Sequence, residues 1–490
     1  MPGENGSKRT KEFLKIRENG KRIFLDPSKP LWFAVNEKGA DIVEGLLNGA
    51  DSLEDTEALE FIKQLQSQEL IDKAVLDVEI YPGRGGLVKH DILEELWLHV
   101  TNVCNLTCKH CLVSAVKKNK VSDREMSTDE IYGLVDEARV MGTRRFYFSG
   151  GEPFLRDDIF DLIEKVTEKD QLVILSNGSL ISRYRETIDR LKHKQRIMFQ
   201  ISLEADCEEI HDGLRSKGGF KGAIEGIKTL IDMDMTPVVA MTLTKINVSR
   251  LCHVNRLLQD LGVRFHHLIW LHQRGRAADN QGLSVSPQEI AKDLEELQAV
   301  SSRTGVAVTV QKAACARVGG RRSIKNDLCH AGCGTLAIGP DGESYPCAAL
   351  VGEKGMRCGS VIDEGLAAVW KDSEVLKDIR NESLKDTHKC ASCSYRFYCG
   401  GGCISYKYFN NGHISGLDPY CGTYKVLYES ALLNTVRERC KDIKPVKDRP
   451  VIYAASCPPA ELPPGQRLDV RSFHCACVLT TNDECKKDCS

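Results

Sequence analysis

From residue 92 the chain alternates short apolar runs with longer stretches of helical spacing. The runs are ELWLHV (95–100), RRFYFSG (144–150), QLVILSNG (171–178), RIMFQISLEA (196–205), TPVVAMTLT (236–244) and VRFHHLIWLH (263–272). Each reads as a strand. A capping box opens one intervening helix, with Ser127 at the N-cap and Glu130 three residues on. Six strands alternating with helices predict an α/β fold with parallel strands, a partial (β/α)6 barrel of the TIM type over residues 92–310. Ligands in such folds bind at the C-terminal ends of the strands.

The pattern differs on either side. Residues 1–20 read as a flexible segment. Residues 21–90 read as a small module: a short strand, a turn at Asn36–Gly39, and an amphipathic helix ended by Asn48–Gly49. A second helix follows from Ser52 to Leu70, with Leu53, Leu59, Ile62 and Leu65 at helical spacing. From 315 to 430 the strand–helix rhythm is lost and cysteine density rises. The stretch 444–466 is proline-rich and reads as a linker. It leads to FHCACVLTTNDECKKDCS, so that 444–490 is a linker and a cysteine-rich tail.

A length of 490 residues allows about three domains. Lysine plus arginine (67) nearly balance aspartate plus glutamate (69), which argues against a nucleic-acid or acidic-membrane partner. The start, MPGENGSKRTKEFLK, has no apolar signal core, and no apolar run is long enough for a membrane span. A cytoplasmic protein is expected. The 21 cysteines are the outlier. In a reducing compartment, clustered cysteines point to metal ligation or catalysis.

The first cluster is CNLTCKHC (104–111), on the loop after the 95–100 strand. Structural zinc wants four ligands, and a [4Fe–4S] cluster is normally held by four cysteines. Neither His99 nor His110 is an obvious fourth ligand. Three thiolates leave one iron open, the position a catalytic site keeps for substrate or cofactor. The plain alternative is three unrelated buried thiols.

Cys104, Cys108 and Cys111 at C-x3-C-x2-C, with His110 in the aromatic slot before the last cysteine, resemble the radical S-adenosylmethionine (SAM) enzymes. The resemblance implies that SAM chelates the open iron and is split to a 5′-deoxyadenosyl radical. Further motifs follow in the family's order. FSGGEP brings Gly150, Gly151, Glu152 and Pro153 to a strand end and is similar to the GGEP motif that contacts the SAM amino group. Paired glycines let backbone approach a ligand, and a carboxylate accepts from an ammonium. LSNG (175–178) resembles the family's TNG turn through Ser176 and Asn177. QISLEA (200–205) offers Ser202 and Glu204 to the ribose, with Glu204 standing where the family has aspartate. HDGLR (211–215), followed by Gly218, Gly219 and Phe220, places Arg215 to meet the SAM carboxylate.

The second group of cysteines comprises Cys329, Cys333 and Cys347, then Cys390, Cys393, Cys399 and Cys403 at C-x2-C-x5-C-x3-C, then Cys421. This resembles the SPASM domain of radical SAM enzymes that modify peptides and proteins, which implies two auxiliary [4Fe–4S] clusters. Cys329, Cys333, Cys347 and Cys403 would hold the first, and Cys390, Cys393, Cys399 and Cys421 the second. The short Cys329–Cys333 spacing departs from the pattern and leaves room for an open cluster. Two zinc sites are the rival reading. Cys207, Cys252, Cys358 and Cys440 read as small hydrophobes.

The module around Trp32 resembles a winged-helix peptide-recognition domain of natural-product pathways, which adds a leader peptide to its sheet edge; a plain structural cap is the alternative. The tail, with Cys475, Cys477, Cys485 and Cys489, reads three ways: incidental thiols, a metal-binding or cluster-shielding segment, or a fused substrate-like segment.

Together the resemblances imply a maturase of a ribosomally made, cysteine-rich precursor peptide with a leader. It would form a thioether crosslink, with an electron donor such as flavodoxin or ferredoxin. Formylglycine formation and carbon–carbon crosslinking are the enzymatic alternatives, and a non-catalytic metal scaffold or electron carrier is the alternative of another class. His266, His267, His272 and Arg274 lie at a strand end as candidate cavity residues.

Overall fold

A computed structural model of the chain describes residues 13–18, 20–48, 55–71, 81, 83–84, 90–117, 124–319 and 327–456. Gly49, Ser52, Leu53 and the four cysteines of the tail lie outside the described residues. Two sheets organise the molecule. The small antiparallel sheet contains β1 (Leu14–Glu18), β2 (Lys21–Leu25) and β3 (Trp32–Asn36). The large sheet contains β4 (Glu95–Thr101), β5 (Arg145–Gly150), β6 (Gln171–Ser176), β7 (Ile197–Ser202), β8 (Val238–Leu243) and β9 (Phe265–Trp270). Adjacent pairs of β4 to β9 are parallel and lie in sequence order. These six strands are the six apolar runs of the sequence. They are largely buried because helices cover a parallel sheet, and near-continuous apolar runs follow from that.

The sheet continues past both ends of the six. β10 (Ala307–Val308) adds in parallel to β9, and β11 (Thr335–Ile338) adds in parallel to β4. β12 (Glu343–Tyr345) and β13 (Gly359–Ser360) then pair antiparallel beyond β11. The register Thr335↔Glu95 to Ile338↔Leu98 grafts the cysteine-rich region onto the strand that leads to the first cysteine cluster. A long helix, Cys421–Cys440, packs against the helices Pro287–Thr304 and Thr309–Gly319.

Helix starts follow local chemistry. Ser127 Oγ accepts from Glu130 N while Glu130 Oε2 accepts from Ser127 N, completing the expected capping box. Ser286 and Glu289 repeat the device. In the small module the expected turn at Asn36–Gly39 is instead a helix N-cap. Asn36 Oδ1 accepts from Gly39 N at 2.9 Å, and the helix Glu37–Leu47 starts there. Gly39 is required by packing: a Cβ there would stand 2.9 Å from Phe61 Cζ. On the next helix, Thr56–Ser67, the inward stripe is Ala58, Phe61 and Leu65. Leu59 of the expected stripe faces solvent at 46% exposure.

The stretch taken as linker also differs. Residues 452–455 form β14 (Ile452–Ala455), which pairs antiparallel with β3 and makes the small sheet four-stranded, β1-β2-β3-β14. Among the described residues, no helix is long and apolar enough to cross a membrane.

Candidate active site

The C-terminal ends of β4 to β9 open onto one cavity of about 610 Å³. Cys104, Cys108 and Cys111 line it, on the loop that leaves β4. The loop is closed on itself: Cys104 N donates to Val116 O at 2.8 Å, and Val116 N to Asn102 O at 2.9 Å. Arg276 grips it from the other side. Its Nε donates to Cys108 O at 2.7 Å, its Nη1 to Ala115 O at 2.6 Å, and its backbone N to Cys111 O at 3.0 Å. Gly275, at φ +57°, permits this approach; a Cβ would come 2.5 Å from Cys111 O. Nothing in the local sequence marks Arg276, because its partners are backbone carbonyls about 160 residues upstream.

Gly150 and Gly151 line the cavity, but their close approach is to the protein itself. A Cβ on Gly150 would meet Thr101 O at 2.2 Å, and one on Gly151 would meet Val103 O at 2.0 Å. Gly151 N donates to Thr101 O at 2.8 Å and Glu152 N to Val103 O at 2.7 Å. The Gly-Gly-Glu segment is therefore zipped to the root of the cysteine loop, and only backbone without side chains fits there.

Both carboxylates expected at a ligand are turned inward, and neither lines the cavity. Glu152 Oε1 accepts from Ser176 Oγ and its Oε2 from Asn177 N, each at 2.8 Å. Burial, partly offset by those bonds, pushes its pKa up to about 7. Glu204 Oε1 accepts from Arg215 Nη2 at 2.6 Å and Nε at 2.9 Å, with His110 Nε2 at 3.3 Å; its Oε2 accepts from Thr242 N at 2.8 Å. Burial pushes Glu204 up, but Arg215 and His110 outweigh it and hold the carboxyl well below its ordinary range. Of the other residues expected at SAM, Ser176, Asn177, Ser202 and Arg215 line the cavity. Arg215 Nη1 also stands 3.8 Å from Cys108 Sγ. Gln200 and Thr242, which no motif singles out, line the cavity as well.

Of the strand-end candidates, His267 and His272 line the cavity; His266 and Arg274 do not. His266 points to the other side of β9, as strand alternation requires. Arg274 instead donates to Ala349 O at 2.6 Å and Val351 O at 2.7 Å. His267 Nδ1 lies 2.6 Å from Thr309 Oγ1, and His272 stacks on Tyr406 at 4.1 Å between ring centroids. Burial lowers both, to about 4 and about 3, so each imidazole is neutral at pH 7.

Cys329, Cys333, Cys347 and Cys403 line the same cavity. The other four expected ligands, Cys390, Cys393, Cys399 and Cys421, line a second, smaller cavity, and Cys399 borders both. Asp418 ties the two sets together. Its carboxylate accepts from Cys403 N and Tyr420 N, each at 2.7 Å, and its carbonyl from Cys421 N at 3.1 Å. Lys407, fully buried, adds a positive charge that is felt by Cys390 and Asp418. Cys252, Cys358 and Cys440 are buried in the main core, as small hydrophobes would be, and Cys207 is half-buried.

Burial raises the pKa of Cys104 to about 11 and of Cys347 to about 12, the latter increased by Cys329. Iron ligands are thiolates, so loading of these sites releases protons. Among the described residues no three His, Cys, Asp or Glu side chains converge on a single-ion site. Tetrahedral zinc needs donors about 2.3 Å from one point. A cluster takes each thiolate on a separate iron, and spaced thiols lining a cavity fit that donor set.

Two family models match the chain: the radical SAM superfamily over residues 98–260, and an iron–sulfur cluster-binding domain, SPASM, over residues 329–394. The chain is 29% identical over 325 residues to the mycofactocin maturase MftC of Mycolicibacterium smegmatis, covering 66% of this chain and 81% of that one. It is 26% identical over 344 residues to an AdoMet-dependent heme synthase of Methanosarcina barkeri, covering 66% and 94%. Among solved structures, anSMEcpe with bound AdoMet and Cp18Cys peptide matches at a TM-score of 0.58 with 17% identity, covering 71% of this chain and 99% of that one. Streptococcus suis SuiB bound to precursor peptide SuiA matches at 0.54 with 16% identity, covering 84% and 98%. Residues 98–260 thus form a radical SAM domain and residues 329–394 a SPASM domain, with SAM and [4Fe–4S] clusters as their cofactors.

Proposed function

We propose that this enzyme is a cytoplasmic maturase that forms a thioether crosslink in a ribosomally made, cysteine-rich peptide carrying a leader. The observation that carries the reading is the shared cavity: Cys104, Cys108 and Cys111 line it together with Cys329, Cys333, Cys347 and Cys403. A peptide carbon and a peptide sulfur can be held there together. Such orientation supplies roughly 7–11 kcal/mol of a barrier. The relatives named as maturases, and the neighbours solved with peptides, support a peptide substrate.

The roles follow from position. Cys104, Cys108 and Cys111 hold the SAM cluster, with Arg276 and the Gly150–Gly151 segment fixing their loop. With the cluster and SAM bound there, the site would supply radical hydrogen-abstraction chemistry toward the peptide. Ser176, Asn177, Ser202 and Arg215 face SAM. Glu152 and Glu204 act behind them as positioning residues, Glu152 through Ser176 and Asn177, and Glu204 through Arg215. Cys329, Cys333, Cys347 and Cys403 would hold one auxiliary cluster, and Cys390, Cys393, Cys399 and Cys421 the other, with a flavodoxin or ferredoxin as electron donor.

The test uses anaerobically reconstituted protein and a Cys104→Ala/Cys108→Ala/Cys111→Ala variant. Three clusters predict about twelve irons per chain, falling by about four in the variant with loss of 5′-deoxyadenosine. Zinc in place of iron, or no 5′-deoxyadenosine from the wild type, would overturn the reading. A product with a new C–C bond or a formylglycine would replace the thioether assignment and keep the peptide.

A further inference from the structure

β14 fills the outer edge of β3, in the sheet expected to capture a peptide. Ile452, Ala454 and Ala455 pair antiparallel with Val35, Ala34 and Phe33. One side chain clamps the residues before the strand. Asn36 Nδ2 donates to Val446 O at 2.9 Å and Arg449 O at 2.6 Å, and Asn36 Oδ1 accepts from Val451 N at 3.0 Å. Lys38 Nζ adds a bond to Asp448 O at 2.6 Å. Past the strand, Ser456 N donates to Trp32 O at 2.7 Å, and Ser456 Oγ accepts from Trp32 N at 3.0 Å. The enzyme thus binds a stretch of its own chain as a sheet edge binds an extended peptide, through main-chain bonds.

This anchor ends against a wall of the active-site cavity. Trp32 Nε1 donates to Val318 O at 2.8 Å, and Arg439 bridges Ala455 O and Gly319 O. Val318 and Gly319 close the helix Thr309–Gly319, whose Val310, Ala313, Ala314 and Arg317 line the cavity. From Val318 back to Val310 is about 12 Å of helix. Beyond Ser456 the sequence continues as CPPAELPPGQRLDVRSFHCACVLTTNDECKKDCS, outside the described residues. Cys475 and Cys489 follow Ser456 by 19 and 33 residues, a chain length of at most about 65 and 110 Å. The cavity wall at Val310–Arg317 is within that length, and covalent attachment makes the encounter intramolecular.

We propose that residues 457–490 are a substrate of this chain's own active site. Residues 445–456 serve as the built-in recognition segment, and Cys475, Cys477, Cys485 and Cys489 supply the sulfur. The inference rests on the thioether reading above. For each crosslink one C–H and one S–H bond break and one C–S bond forms. The carbon's hydrogen atom leaves in 5′-deoxyadenosine, the thiol proton goes to solvent, and the remaining electron passes to an auxiliary cluster. A one-electron reductant supplies the electron that SAM cleavage consumes. The tail becomes lighter by two hydrogens per crosslink.

The experiment is full-length reconstituted enzyme with SAM and dithionite, no peptide added, followed by digestion, reduction, alkylation and mass spectrometry. Tail fragments lighter by two hydrogens per crosslink, with cysteines that resist alkylation after reduction, are expected from the wild type and not from the Cys104→Ala/Cys108→Ala/Cys111→Ala chain. Ala454→Pro, which breaks the β14 ladder, should slow the modification at least tenfold and speed hydrogen exchange at Trp32–Asn36. A flexible insertion of about 40 residues after Gly465, which leaves the sheet intact, should slow it about fivefold. If 5′-deoxyadenosine forms while every tail cysteine stays alkylatable, this inference falls and the proposed function stands. If no 5′-deoxyadenosine forms, the proposed function falls first. If tail modification in both variants keeps the wild-type rate, β14 is not the anchor and the inference is overturned.

Discussion

Arg215 points two donors at one oxygen of Glu204, Nη2 at 2.6 Å and Nε at 2.9 Å, behind the wall that faces Cys108. The other oxygen is taken by Thr242 N. One ion pair thus joins the segment after β7, the strand β8, the end of the helix Glu208–Leu214, and, through His110, the cysteine loop. Breaking one partner of a buried pair strands the other charge, at about 3–5 kcal/mol. Arg215→Met is expected to lose that much stability, and Glu204→Gln/Arg215→Met less, in thermal or urea unfolding of the cluster-free chain. Equal losses in the single and double variants would show that the two residues are not coupled.

Gly151→Ala tests whether the Gly-Gly-Glu segment supports the cysteine loop. Its Cβ would lie 2.0 Å from Val103 O, too close for backbone to tolerate. The loop must shift, and the variant should bind about four fewer irons per chain while retaining the auxiliary set. Full iron content would place the glycine's role elsewhere.

Glu152 makes stability depend on pH. Its folded pKa, about 7, stands above the ordinary 4.5, because burial outweighs its hydrogen bonds. Such a group contributes stability that is fully present below about pH 4.5 and is lost as pH rises through about 7. The contribution is about 3 kcal/mol at most. Melting temperature compared between pH 5 and 8 should fall more steeply in the wild type than in Glu152→Gln. Parallel slopes would rule the carboxyl out as the source.

Asp418 holds Cys403 N and Tyr420 N, and a Cβ at Gly402 would collide with its carboxylate at 2.4 Å. Asp418→Ala leaves those two amides unsatisfied, at about 1–3 kcal/mol each. The expected result is loss of auxiliary iron with the Cys104, Cys108 and Cys111 site still loaded. Iron content and the spectrum of the reduced clusters measure it; unchanged auxiliary iron would contradict the linking role.

Much of the site was legible because its signals are local. The six strands β4 to β9 announce themselves as apolar runs, since a covered parallel sheet admits few polar residues. Cys104, Cys108 and Cys111 are legible by spacing alone, because one short loop must present all three. The capping box at Ser127 is likewise a contact over three residues. Side-chain direction is another matter. Glu152 and Glu204 sit in the expected motifs, yet both turn inward, because Ser176, Asn177, Thr242 and Arg215 offer them buried donors that a linear sequence does not bring together.

Long-range pairing was beyond the sequence for the same reason. The amino-acid order determined the strands and helices, the three-thiol loop and the cysteine sets, since each depends on neighbours within a turn or a strand. Only the tertiary structure decided that β11 would pair with β4 and that Cys333 and Cys347 would share one cavity with Cys108. It alone decided that Ile452–Ala455, written like a linker, would close on Trp32–Asn36. A four-residue strand has too little propensity of its own to declare itself. Its partner edge, the Asn36 clamp and the Trp32 contacts to Ser456 and Val318 exist only once the chain has folded.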